Sequence, residues 1–134
     1  MGPKDREYLP YRGESPQDRV AYERYLVDVK RGKSFLQLKA VASQMTPDIR
    51  RSWSARSFTA VSTPEGEFDA VICNVSYHFH THGHKYGSIR FMTQHAQQYF
   101  EQNRQQAVDN AYGLLRFPDG SLFERDGRIV TYVG

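Results

Sequence analysis

Apolar positions recur at helical spacing in the first part of the chain, and after residue 57 they gather into strand-like runs. Tyr22, Tyr25, Leu26 and Val29 fall on one face of a helix. Ser15 is placed to cap it, Pro16 suits the first helical position, and Asp18 favours the positive end of the dipole. Gly32, after Lys30 and Arg31, ends it. A second apolar stretch covers residues 35–45. Thr46, Pro47 and Asp48 repeat the cap signature and open a short basic helix with Arg50, Arg51 and Trp53. Residues 1–56 are expected to be mainly helical.

Residues 57–63 and 68–77 are rich in Val, Thr, Phe and Ile, and Pro64, Glu65, Gly66 and Glu67 between them read as a hairpin turn. Ser88 can cap a helix in which Ile89, Met92, Ala96, Tyr99 and Phe100 share a face, fading near Asn110. Asp119-Gly120 and Asp126-Gly127 then separate runs at 114–117, 121–124 and 128–133, the pattern of a three-stranded meander. No internal repeat stands out. The expected fold class is α+β, with amino-terminal helices packed on a twisted antiparallel sheet. The 134 residues make one domain, a helical part over 1–56 and a part over 57–134 holding hairpin, helix and meander.

Composition narrows the classes. A chain with 39% hydrophobic and 13% aromatic residues is too apolar to be disordered. No apolar run approaches the roughly 20 residues of a membrane helix. A lone cysteine, Cys73, excludes a disulfide framework. The net charge of +3 is too small to argue for nucleic acid by itself. It sums a basic segment over 1–56, an acidic one over 57–77 and a nearly balanced one over 78–134.

Four of the five histidines, His78, His80, His82 and His84, fall within seven residues, and His95 follows on the next helix. On a strand the alternation puts all four on one face, a plausible nitrogen-ligand metal site. On a helix His78 and His82 share a face and the others diverge. A hydrated polar strand end is the bland alternative. The reading given most weight is acid–base chemistry, because imidazole exchanges protons near neutrality. Cleaving RNA without a metal needs one group to take the ribose 2′-hydroxyl proton and another to protonate the leaving 5′-oxygen. It also needs cations for the phosphate. His78 to Lys85 offers imidazoles and an ammonium. Ser88 heads a helix whose N–H groups face anions, and Arg90, Arg116 and Arg128 could hold phosphate.

The run His78-Phe-His-Thr-His82-Gly-His-Lys-Tyr-Gly87, then a helix with Thr93, Ala96 and Tyr99, then strands closing on Gly127-Arg-Ile-Val-Thr131, resembles toxin nucleases of the Barnase–EndoU–colicin–RelE group. It is most similar to the colicin D-like carboxy-terminal tRNase domains of contact-dependent inhibition and other polymorphic toxins. The resemblance covers about residues 76–134. It implies a cleft site on a twisted sheet and cofactor-free cleavage of RNA, typically tRNA, to a 2′,3′-cyclic phosphate. It implies delivery by a longer secreted or cell-surface toxin into the cytoplasm of a target bacterium, and a cognate immunity protein, with a host activator left open. His78 and His82 match the motif histidines, Gly83 and Gly87 its glycines, and Thr131 its terminal threonine. Thr81 stands where the family often has lysine, so Lys85 is expected to supply the cation. The expected catalytic set is His78, His82, Lys85 and Thr131. The expected substrate-binding set is Arg116, Ser88, Tyr86 and Arg128, with Tyr86 and Tyr132 stacking on bases. Two rival classes remain, a metal site on His78, His80, His82 and His84 and a non-enzymatic immunity or adaptor domain.

Overall fold

The computed structural model describes residues 35–56, 58, 60–63, 66–110 and 112–134. The helix expected after Ser15 lies outside the described residues. Helix α1, Phe35–Gln44, is followed by α2, Pro47–Arg51. Thr46 caps α2 as the sequence predicts, its hydroxyl accepting from the Ile49 amide. Strands β1, Val61–Thr63, and β2, Gly66–Phe68, form an antiparallel hairpin in which Thr63 pairs with Gly66.

The expected strand over 68–77 is overturned beyond Phe68. Asp69 accepts a hydrogen bond from the Ile72 amide at 2.9 Å and caps helix α3, Ala70–His78. Every residue from Ile72 to His78 is buried. A helix covered on all sides shows no apolar stripe, and such a run cannot be told from a buried strand by periodicity. The chain leaves α3 through a π-helical turn, Phe79–Gly83, and a 3-10 turn, His84–Tyr86. Gly87, at φ +83°, reverses it, a left-handed conformation that suits glycine.

Helix α4, Ile89–Asn103, starts where predicted, with the Ser88 hydroxyl accepting from the Phe91 amide at 3.1 Å. It buries Ile89, Met92, Thr93, Ala96 and Phe100. It ends seven residues before Asn110, in a 3-10 turn, and this frees residues for a strand that sequence reasoning missed. That strand is β3, Val108–Asp109. With β4, Leu115–Arg116, β5, Leu122–Phe123, and β6, Ile129–Thr131, it makes a four-stranded antiparallel sheet in sequence order. The class is α+β, as expected.

Strands β5 and β6 are buried on both faces. Leu115, Phe123 and Ile129 are cross-strand partners and face the main core, where Phe100, Phe117 and Phe123 lie with ring centroids 5.1–5.8 Å apart. Leu114, Leu122 and Val130 form a separate buried cluster. The outer edge of β6 is occupied by the segment after α2. Ser54 N–H donates to the Ile129 carbonyl and Ile129 N–H to the Ser52 carbonyl, each at 2.8 Å. This parallel bridge at Trp53 satisfies backbone groups that an edge strand would leave open. Among the described residues no helix is long and apolar enough to cross a membrane.

Candidate functional site

The histidine run occupies the end of α3 and the two turns beyond it, not a strand. The four rings therefore do not share a face. Among the described residues no group of three or more His, Cys, Asp or Glu side chains is arranged to hold a metal ion. The alternating ligand set His78, His80, His82 and His84 rested on strand geometry and goes with it. The helical alternative holds, because His78 and His82 lie one turn apart with ring centroids at 6.1 Å.

His78 is a core residue, 1% exposed. Trp53, Phe58 and Tyr77 surround it, with ring centroids 5.1–6.3 Å away. Its Nδ1 meets two acceptors, the Asn74 carbonyl at 3.1 Å and the Asn74 side-chain oxygen at 2.6 Å. Both partners are oxygens, so Nδ1 carries the proton of a neutral ring. The Asn74 amide is oriented in turn, since its nitrogen donates to the Ser54 carbonyl at 2.7 Å. Burial, and then the neighbouring His82, push His78 down to about 3. His78 is thus a neutral, oriented ring beside His82 and does not titrate near neutrality.

The others sort by exposure. His82 is half-buried and His84 is exposed. His80 is half-buried, and its Nε2 is buried without a hydrogen-bond partner. Burial, and then His84, lower its protonation range. The turn is held on α4 by Gly83, which is buried so tightly that a Cβ there would fall on the Met92 sulfur. Both glycines matched to the family pattern thus have physical reasons, close approach at Gly83 and positive φ at Gly87.

Beyond Gly83 the turn meets residues from distant parts of the chain. The Tyr86 hydroxyl donates to the Gly134 carbonyl at 2.7 Å. Its ring stacks on Tyr132 at 6.4 Å and 25° and lies 4.4 Å from His95 of α4. The exposed Lys85 ammonium sits 5.4 Å from the Tyr86 ring centre. Tyr99 of α4 lies 5.7 Å from Tyr132. Burial, and then the Asp119 carboxylate facing it, push the Tyr99 hydroxyl up to about 12. Burial, and then Tyr86, raise Tyr132 as well.

The remaining candidates are more dispersed. Thr131 is 4% exposed on β6, next to Tyr132 in the chain. Ser88 is committed to capping α4. Arg116 is exposed on β4. Arg128 is held by Asp126 of its own turn at 2.9 Å. Sequence reasoning missed Asn74, hidden in the supposed strand, and the grouping of His95, Tyr99 and Asp119. The spacing of His95 and Tyr99, four apart on a predicted helix, placed both on one face and was the available signal.

No protein-family model matches the chain, and neither a curated protein nor a solved structure does.

Proposed function

We propose that this chain is a toxin-type endoribonuclease of the Barnase–EndoU–colicin–RelE kind, which cleaves RNA without a metal by attack of a 2′-hydroxyl on the neighbouring phosphate. The observation that carries this reading is the convergence at the histidine turn. An imidazole, an ammonium and tyrosine rings meet there from the turn, α4 and the chain after β6. His82, half-buried and backed by neutral His78, takes the 2′-hydroxyl proton. Lys85 holds the phosphate as charge builds on its oxygens. Tyr86 and Tyr132 offer faces to unpaired bases, the usual mode of single-stranded RNA recognition. Thr131, being buried, acts by setting the strand that leads to Tyr132. The substrate class is tRNA, the setting is the cytoplasm of a target bacterium, and a cognate immunity protein silences the activity in the producer.

The test is incubation with total bacterial RNA in excess EDTA, wild type beside His82→Ala. Wild type is expected to cut a subset of RNAs, and His82→Ala to lose about 10²-fold or more. Cleavage that vanishes with chelator and returns with zinc or nickel would instead favour a metal-dependent nuclease. Intact RNA under every condition would remove the enzymatic reading.

A further inference from the structure

His95 is an exposed residue in the middle of α4, where folding needs nothing from an imidazole. It nevertheless lies against Tyr86 at 4.4 Å and 34°. That tyrosine is itself fixed by its bond to the Gly134 carbonyl and by its stack on Tyr132. An exposed imidazole against an anchored ring is a preorganised group. Tyr86 also carries Lys85 over its ring and Tyr132 stacked on it, and Tyr99 and Asp119 follow beyond Tyr132.

Its relation to His82 follows from the helix. Gly83, next to His82, is pressed on Met92, and His95 lies three residues after Met92 on the neighbouring turn. The contact brings the turn that carries His82 against the stretch of α4 that carries His95.

Resting on the ribonuclease reading above, we infer that His95 is the general acid of the reaction, the group that protonates the departing 5′-oxygen. As the O2′–P bond forms and the P–O5′ bond breaks, the 2′-hydroxyl proton passes to His82. The imidazolium of His95 gives its proton to O5′. The products are a 2′,3′-cyclic phosphate and a free 5′-hydroxyl. Both imidazoles then return to their starting states by exchange with water, and no further reactant is consumed.

A sulfur leaving group separates this role from a structural one, because a thiolate departs without being protonated. The scissile site would first be mapped in a natural RNA. The same sequence would then be made with the bridging 5′-oxygen at that site, or with sulfur there. His95→Ala and His95→Gln are expected to lose about 10²-fold on the oxygen substrate. On the sulfur substrate they are expected to stay within a few-fold of wild type. Their thermal unfolding should match wild type, since the position is exposed. Equal losses on both substrates, or no loss on either, would overturn the acid role and leave the ribonuclease reading standing. A wild type that cuts no RNA would overturn both.

Discussion

His78 shows how a residue type can carry one message in sequence and another in place. Four closely spaced histidines signalled chemistry along one segment. The first of them is packed among Trp53, Phe58 and Tyr77. Burial sets it apart from half-buried His82, and burial depends on helix packing that spacing does not reveal. The consequence is a pH dependence of stability. His78 is held down to about 3 from an ordinary 6.5, so the unfolded chain binds its proton first as pH falls. Stability from this group is fully present above about pH 6.5 and is lost toward pH 3, at up to about 1.4 kcal/mol per pH unit. Urea unfolding at pH 7 and at pH 5 should show the loss, and His78→Gln should flatten it. A wild type equally stable at both pH values would contradict the buried neutral ring. At Gly83 the added methyl of alanine meets buried Met92. Gly83→Ala is expected to cost about 1–3 kcal/mol in the same assay. In a Met92→Ala background it should cost much less, as a double-mutant cycle would show.

At the scale of elements, the helices α2 and α4 were legible because their caps are local. Thr46 and Ser88 each accept an amide bond three residues on, and the pattern depends on nothing distant. Helix α3 was not legible. Its cap, Asp69, was present in the sequence, but the largely apolar run after it, without a helical stripe, suits a buried strand equally well. The meander was legible in its turns and incomplete in its strands. The structure also discloses a regularity at odds with the expectation of no repeat. The Asn110, Phe117 and Glu124 carbonyls each accept from a glycine N–H three residues on, at 2.9–3.3 Å. Gly113, Gly120 and Gly127 stand seven apart and have φ between +77° and +95°. These glycines are not equivalent. A Cβ at Gly127 would come within 3.4 Å of the Phe100 ring, while one at Gly113 would meet nothing within 4 Å. Gly127→Ala should therefore lose about 2–3 kcal/mol and Gly113→Ala about 1 kcal/mol. Denaturant titration of both decides it, and equal losses would mean that backbone strain alone governs these turns.

The whole molecule explains why its modest charge says little. Arg50, Arg56, Arg90, Arg125 and Arg128 each pair with a carboxylate of the fold, mostly at exposed positions. Two of them, Arg50 and Arg56, come from the basic segment over 1–56. Such pairs contribute little to stability but leave less free positive charge for a polyanion. The case for RNA therefore rests on one location, where the histidine turn, α4 and the end of the sheet meet. About half of that location was legible in sequence. His82, Lys85, Tyr86 and Tyr132 were singled out from motif order. The grouping of His95, Tyr99 and Asp119 with them required knowing that α4 lies against both the turn and the sheet. The proposed chemistry would leave a specific mark on the product. The most direct measurement is mass spectrometry of the 3′ ends of RNA fragments produced in EDTA. Attack by the 2′-hydroxyl predicts fragments ending in a 2′,3′-cyclic phosphate, each paired with a 5′-hydroxyl end. Fragments ending in a 3′-hydroxyl with a 5′-phosphate, or no fragments at all, would contradict the account.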